Sequence, residues 1–408
     1  MFLAWFLHSF VEIGTLNLID SKGVFHRFEG APGPEVTVRI HDRWFGSKLP
    51  FSPSMVVGEA FMNGTLSIES GDIYDFLDWA IRNQNRQQSR GMVRAMARVG
   101  RLGRWLEQYN PTRRARRNVA HHYDLSGRLY DLFLDSDKQY SCAYFRSGDE
   151  DIETAQALKK MHIAAKLLLA SGQRLLDIGS GWGGLGLYLA DATGCEVTGV
   201  TLSEEQLKVS RERADALGLA EHVDFRLEDY RQIDDRFDRI VSVGMLEHVG
   251  VPHLRRFFDT IAGLLEDDGL ALVHTIARGD GPGVTDAWIR KYIFPGGYCP
   301  ALSELAGAIE ASGLVITDIE SLRLHYAETL KAWRARFNTN RDEIREIYDE
   351  RFCRMWDFYL AASEATFRHG DQLVYQIQVA RRQDAAPLTR DYIYEWERAQ
   401  TTRRVDAA

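Results

Sequence analysis

The sequence predicts an α/β protein built on a doubly wound parallel sheet, preceded by a smaller α+β domain. Three observations carry that reading. From about residue 120 onward, apolar strand-like runs alternate with segments of helical periodicity. Leu175-Leu176-Asp177-Ile178-Gly179-Ser180-Gly181-Trp182-Gly183 is an apolar strand that breaks into a glycine turn, and Leu185–Ala190 then reads as a helix. Residues 1–80, by contrast, mix short β-like runs with Gly and Pro punctuation.

In chain order, Val36–Ile40 and Leu66–Ile68 read as strands and Ile73–Ala80 as an aromatic-rich helix. An arginine-rich stretch follows, then a break at Asn110-Pro111 and a linker over Arg113–Arg117, which sets a domain boundary at 117/118. The strands expected beyond it are 174–178, 196–200, 222–227, 238–243, 270–276, 314–320 and 373–379, seven in all. Between the last two, Glu328–Phe367 carries Trp333, Phe337, Tyr348, Phe352, Trp356, Phe358, Tyr359 and Phe367 at helical spacing, the pattern of a buried core face.

Composition bounds the function. A chain of 408 residues has room for two or three domains with sizeable cores. Cys142, Cys195, Cys299 and Cys353 form no C-x-x-C pair, which argues against a disulfide framework or a zinc site and for a reducing, cytoplasmic setting. The apolar start Met1–Leu7 lacks a basic flank and a cleavage site and is too short to span a bilayer. Arg82–Arg117 holds eleven arginines against one acid, Glu107, a net +10 in a chain of net −8, so the remainder carries −18. Arg82, Arg86, Arg90, Arg94 and Arg98 recur every fourth residue beside Ile81, Met92, Val93 and Met96, one stripe on a helix. Such a stripe suits anionic phospholipid headgroups; nucleic acid is disfavoured because aromatic interleaving and a recognition motif are missing, and a plain solvated helix face is the competing reading.

In open α/β sheets, ligands sit outside the carboxyl ends of the strands. Those ends collect Asp177 with Gly179, Gly181 and Gly183; Thr201, Leu202, Ser203 and Gln206; Glu228, Asp229 and Tyr230; Glu247 and His248; and His274-Thr275-Ile276. A dinucleotide site would want a carboxylate closing the second strand. Thr201-Leu202-Ser203 stands there instead, so S-adenosylmethionine fits the glycine loop better. Asp177 suits the methionyl end or a helix cap, and Asp229 with Tyr230 suits the adenine. Glu247 and His274 converge as a carboxylate and an imidazole able to hold or move a proton, with a satisfied core histidine as the alternative for His274.

Several further motifs complete the picture: His121-His122-Tyr123-Asp124, Gln139-Tyr140-Ser141-Cys142-Ala143-Tyr144-Phe145, Glu247-His248-Val249-Gly250, Tyr292-Ile293-Phe294-Pro295-Gly296-Gly297 and His325-Tyr326-Ala327-Glu328-Thr329-Leu330. With the glycine loop, these resemble the cyclopropane-fatty-acyl-phospholipid synthases and the related mycolic-acid cyclopropane synthases. The resemblance is strong over 118–380 and looser before it, through Gly58-Glu59-Ala60-Phe61-Met62-Asn63-Gly64. It implies a class I S-adenosylmethionine-dependent methyltransferase fold, Rossmann-like with a seven-stranded sheet, at 118–408, and a lipid-interacting domain with a basic linker at 1–117. It also implies methylene transfer to the cis double bond of unsaturated phospholipids, peripheral association with the inner face of the membrane, and a homodimer. Carried over residue by residue, Cys142, Glu247, His274, the backbone of Ile276 and Tyr326 cradle a bicarbonate that acts as base. Tyr140, Ser141, Asp177, Gly179, Gly181, Gly183, Thr201, Leu202, Gln206, Asp229 and Tyr230 bind S-adenosylmethionine, and no metal is implied. The rivals are a lipid C-methyltransferase giving methyl-branched or methylene products and a non-catalytic lipid-binding protein of the same fold. Cys142 reads as a lining residue, since alkene methylation needs no covalent enzyme intermediate; Gly279–Gly283 and Ile293–Gly297, flanking Trp288 and Tyr292, read as a lid or a long connection.

The arginine stripe is directly testable. Changing Arg86, Arg90, Arg94 and Arg98 to Gln should reduce co-sedimentation with anionic vesicles in a salt-sensitive way, because each basic residue near such a surface contributes about 1 kcal/mol. Equal sedimentation of variant and parent identifies a solvated helix face.

Overall fold

A computed structural model describes residues 2–88 and 126–406. Its strands are β1 (Ile13–Ile19), β2 (Phe25–Glu29), β3 (Ala31–Ile40), β4 (Leu66–Ser70), β5 (Arg174–Ile178), β6 (Glu196–Thr201), β7 (Val223–Leu227), β8 (Phe237–Val243), β9 (Leu265–Arg278), β10 (Val315–Ser321) and β11 (Gln372–Ala380). They form two sheets. One has four strands in the order β2-β1-β3-β4, the other seven in the order β10-β11-β9-β8-β5-β6-β7. The chain divides into two compact units: Met1–Arg104, Gly283–Pro295 and Tyr326–Gln372 make one, and Trp105–Pro282, Gly296–His325 and Leu373–Ala408 the other. The expected single cut at 117/118 therefore differs from the compact units, because two later segments pack with the N-terminal one.

The larger unit follows the strand-helix alternation. β5 pairs in parallel with β6 and β8, β6 with β7, and β8 with β9. The expected parallel sheet needs one correction: β10 runs antiparallel to β11, because the helices His325–Thr339, Arg341–Ile347 and Glu350–His369 between them return the chain in the opposite direction. Leu175, Leu176, Val241, Leu270, Ala271, Leu272 and Val273 are fully buried, as strands covered by helices on both faces must be. One face packs Phe257, Phe258, Ile261 and Leu264 of the helix Leu254–Leu264; the other packs Ile163, Leu167, Leu187 and Leu189.

In the smaller unit β1 lies between an antiparallel β2 and a parallel β3, with Leu16 opposite Val36 and Leu18 opposite Val38, all four buried. β1 and β2 are the two strands the sequence reading passed over. Thr15 and Asn17 interrupt the apolar pattern of β1, yet they too are buried, and Asn17 donates to Glu35 at 2.8 Å. The helix Ile73–Gln88 fastens to this sheet through Asn83, whose carbonyl oxygen accepts from the backbone of Glu12 and Ile13 at 2.7 and 2.9 Å. The aromatic stretch beyond residue 325 is core, as expected, broken into the helices His325–Thr339, Arg341–Ile347 and Glu350–His369. Trp333, Phe337, Trp356 and Phe367 are buried there.

Residues 287–292 form a helix whose Trp288 is buried and lies against Gly58; a Cβ at Gly58 would fall 2.4 Å from the indole nitrogen. Lys291 and Tyr292 both reach Glu59 at 2.7 Å. Gly58 and Glu59 of the N-terminal motif are thus the seat of this helix. Of the arginine stripe, Arg82 and Arg86 lie on the helix Ile73–Gln88; Arg90–Arg117 and the motif His121–Asp124 lie outside the described residues. No helix among the described residues is long and apolar enough to cross a membrane.

Phe257 is fully buried and meets Phe258 edge-on with ring centres 5.2 Å apart. Phe257→Ala should lower stability by about 3–5 kcal/mol in urea unfolding, the range for deleting a buried ring. A loss under about 1 kcal/mol would mean the site collapses around the cavity.

Candidate active site

The three glycines after β5 each meet a different demand. All have positive φ, +85° at Gly179, +55° at Gly181 and +82° at Gly183, a conformation that side chains with a Cβ rarely adopt. A Cβ at Gly183 would lie 2.7 Å from the Phe225 ring and 2.8 Å from Ser210, so that glycine lets the helix Gly184–Thr193 settle on the sheet. At Gly179 the neighbour would be Met245, at 3.1 Å; at Gly181 nothing lies within 4 Å. Gly179 and Gly181 line a cavity at the carboxyl ends of β5 to β8, and Gly183 does not.

The cavity brings together most of the expected cofactor residues. Thr201, Leu202 and Gln206 line it after β6, Asp229 and Tyr230 after β7. Thr201 donates its hydroxyl proton to Gln206 Oε1 at 2.8 Å, and Ser203 caps the helix Glu204–Ala216 that carries Gln206. Asp229 is buried and held by both edges of the Arg231 guanidinium, at 2.8 and 2.6 Å, so its carboxylate is oriented before any ligand arrives. Tyr230 sets its ring edge against Phe257, 5.6 Å away, and burial raises its phenol to about 12. Glu228, Arg231, Met245, His248, His253 and Arg256 line the same space. Arg231, Met245, His253 and Arg256 were missed from sequence, since nothing local marks a side chain that arrives from a 3₁₀ turn or from the next helix.

Four expected cofactor residues stand outside this cavity. Asp177 lies beneath the loop at 1% exposure, its Oδ2 without a hydrogen-bond partner among the described residues. Burial raises its carboxyl to about 7, opposed by the charge of Lys159. Tyr140 packs against Tyr130 and Phe133, and Ser141 Oγ accepts from Lys159 Nζ at 2.8 Å. Lys159 is itself fully buried, lowered to about 8 by desolvation, and also donates to Gln139 Oε1 at 2.6 Å. With Gln156 Nε2 donating to the carbonyls of Gln139 and Ser141, it fixes an irregular loop that has no ladder of its own. Sequence periodicity gave no sign of this, because a Gln and a Lys three apart on a helix read as a solvent face.

Of the five expected base-holding residues, Glu247, His274 and Ile276 come together where β8 and β9 run side by side. The backbone N–H of Ile276 donates to Glu247 Oε1 at 2.6 Å, while Oε2 is buried without a partner among the described residues. Burial raises the Glu247 carboxyl to about 7, the bond from Ile276 opposing it. His274, 2% exposed, takes a bond at Nδ1 from Gln376 Nε2 at 3.2 Å, which leaves the ring proton on Nε2, an atom without a hydrogen-bond partner among the described residues. Desolvation pushes that imidazole well below its ordinary value, so it is neutral. Cys142 is buried at 1% and its Sγ lies 3.3 Å from the carbonyl of Ala143. Tyr326 belongs to the other compact unit, buried with its ring 5.8 Å from Trp333 and 4.7 Å from Phe367. Among the described residues, no group of three or more His, Cys, Asp or Glu is placed to hold a metal ion.

Comparison with known proteins places this architecture. Residues 110–377 match a family model described as mycolic acid cyclopropane synthetase. The cyclopropane-fatty-acyl-phospholipid synthase of Escherichia coli K12 is 36% identical over 346 residues, 84% of this chain and 87% of that protein. A probable fatty acid methyltransferase of Pseudomonas putida is 35% identical over 372 residues, 86% of this chain and 89% of that protein. Among solved structures, mycolic acid cyclopropane synthase CmaA1, complexed with SAH and CTAB, is 31% identical with a TM-score of 0.62, covering 66% of this chain and 99% of that one. A glycine-turn cavity on a seven-stranded sheet and a match over most of the chain therefore agree: this protein belongs to the mycolic acid cyclopropane synthetase family, as an S-adenosylmethionine-dependent methyltransferase of the cyclopropane-fatty-acyl-phospholipid synthase type.

Proposed function

We propose that this enzyme converts the cis double bond of an unsaturated phospholipid acyl chain into a cyclopropane ring, with bicarbonate as base. The observation that carries the reading is the pair of buried, unpartnered atoms Glu247 Oε2 and His274 Nε2 at adjacent strand ends. An anion needs donors, and both atoms can supply one. Nε2 of His274 keeps its proton because Nδ1 is engaged by Gln376. A carboxyl raised to about 7 by burial holds its proton beside a second anion more readily than an ordinary glutamate does. In this reading Cys142, Tyr326 and the backbone of Ile276 complete the cradle.

S-adenosylmethionine supplies an electrophilic methyl group. Gly179, Gly181, Thr201, Leu202, Gln206, Asp229 and Tyr230 would hold it along the cavity, with Asp229 already oriented by Arg231. Gly183 acts by packing the loop, Asp177 by its charge beneath it, and Tyr140 and Ser141 through the loop that Lys159 fixes. An alkene is a weak nucleophile with no proton to lose beforehand, so catalysis rests on alignment and on excluding water. An aromatic face such as that of Tyr140 would stabilise the cation formed on the acyl chain by about 0.5–2 kcal/mol. The same reading makes the N-terminal part, with the arginine stripe, the lipid-interacting region of a homodimer at the inner membrane face.

Proton NMR of lipid extracted from a host lacking such an enzyme tests the product. Shielded ring-methylene signals are expected; vinylic or branched-methyl signals in their place would favour a lipid C-methyltransferase. Glu247→Gln should bind S-adenosylmethionine as the parent does, with activity lowered by about 10² or more, the scale of lost acid–base assistance. Parent-level activity would remove Glu247 from the proton-handling step.

Gly181→Arg should abolish S-adenosylmethionine binding in calorimetry while circular dichroism stays close to the parent. The position lines the cavity with open space beside it, so the long side chain takes the space of the ligand. Unchanged affinity in a folded variant would place the cofactor elsewhere.

A further inference from the structure

The helix Ile152–Lys166 turns a polar stripe inward. Gln156, Lys159, His162 and Lys166 recur at steps of three or four and are at most 1% exposed. Gln156 and Lys159 serve the 139–141 loop described above. His162 serves another partner: its Nε2 stands 2.7 Å from Glu320 Oε2 on β10, and its Nδ1 stands 2.6 Å from Glu397 Oε1 on the helix Asp391–Asp406. Carboxylates only accept, so both bonds are made when both ring nitrogens carry protons. Glu397 is 4% exposed, far from the usual state of a glutamate on a terminal helix. Its other oxygen takes Arg146 at 3.1 Å, while Glu320 also takes Lys166 at 2.5 Å.

The imidazole so clamped is one plate of a stack. Tyr144 lies on His162 with ring centres 4.2 Å apart and planes at 16°, and His325 lies on the other face of Tyr144 at 5.0 Å and 19°. The backbone N–H of Tyr144 donates to the carbonyl of Ala155 at 3.1 Å, and that of Phe145 donates to His325 Nδ1 at 2.9 Å. Cys142 is two residues before Tyr144, in a segment without regular structure. The helix Asp391–Asp406 lies beyond residue 377, where the match to the family model ends.

We propose that Glu397 and His162 are positioning residues, and that the C-terminal helix is a clasp which, through the Tyr144 stack, holds the Cys142–Phe145 segment in its working geometry. A buried charge pair left half broken is costly, so the clasp is either closed or displaced rather than loosely held. Misplacing a substrate-lining segment by about 1 Å can cost about 10² in rate without touching the chemistry. The cofactor cavity is lined from β5 to β8 and the helix Leu254–Leu264, with no residue from the clasp.

The role assigned to Cys142 rests on the proposed function, so the test separates the two. Glu397→Leu removes the acceptor; Glu397→Gln keeps an oxygen that accepts from Nδ1. Hydrogen exchange of the peptide spanning Gln139–Gly148, read by mass spectrometry without lipid, should accelerate in Glu397→Leu and stay near the parent in Glu397→Gln. With unsaturated phospholipid vesicles, turnover to S-adenosylhomocysteine should fall by about 10² in Glu397→Leu. Calorimetric affinity for S-adenosylhomocysteine should match the parent, and Glu397→Gln should recover most of the turnover. Parent-like exchange in Glu397→Leu overturns the clasp. So does equal loss in both variants together with lost S-adenosylhomocysteine affinity, which marks a general packing role. A parent enzyme inactive on these vesicles counts against the proposed substrate alone, while the exchange measurement still judges the clasp.

Discussion

The parallel register of β5, β8 and β9 decides where Glu247 and His274 stand. Val243 lies opposite His274, and Ile178 opposite Ser242. From that alignment the turn after β8 brings Glu247 back to the backbone of Ile276, and the turn after β5 points Gly181 into open space. A slip of one residue between β8 and β9 would carry His274 to the opposite face of the sheet and part Glu247 from the backbone N–H of Ile276. The apolar layers on either side of the sheet are therefore more than ballast. They fix the register, and the register fixes the chemistry.

Burial then divides the acids of the larger unit into two kinds. Asp137 and Glu320 sit beside basic side chains, Lys160 and Arg213 for the first, Lys166 and the hydrogen-bonded His162 ring for the second, and are held below the ordinary carboxylate range despite desolvation. Asp177 and Glu247 lack a cation in contact and are raised to about 7. The first kind holds structure together. The second changes protonation near neutral pH.

Much of this was legible in the sequence. All seven strands of the larger sheet were placed to within a few residues, because hydrophobic runs bounded by glycine and helical periodicity are strong local signals; β9 begins five residues earlier than expected, at Leu265. Gly179, Gly181, Thr201, Leu202, Gln206, Asp229 and Tyr230 could be read together from sequence because they follow strand ends, and they do line one cavity. What stayed hidden depends on distant partners. The antiparallel pairing of β10 with β11, the membership of Trp288 in the smaller unit, and the inward Gln156, Lys159, His162 and Lys166 follow from partners 15 to 235 residues away in the chain, and none leaves a local mark. β1 was missed for a related reason: the buried Thr15 and Asn17 interrupt an alternation that only their partners explain.

The seat of Trp288 on Gly58 has a consequence for how the protein is made. A ribosome releases the N-terminal sheet long before it synthesises Trp288 or the helix Glu350–His369, so the smaller unit emerges with part of its core still untranslated. At roughly 5–20 residues per second, the nascent chain spends on the order of a quarter minute to a minute in that half-finished state. Its apolar surfaces are then open to chaperones, and the larger unit, whose β5 to β9 are contiguous in sequence, is complete in its centre first. The centre of the larger sheet is thus fully synthesised while the smaller unit still waits for its last segment.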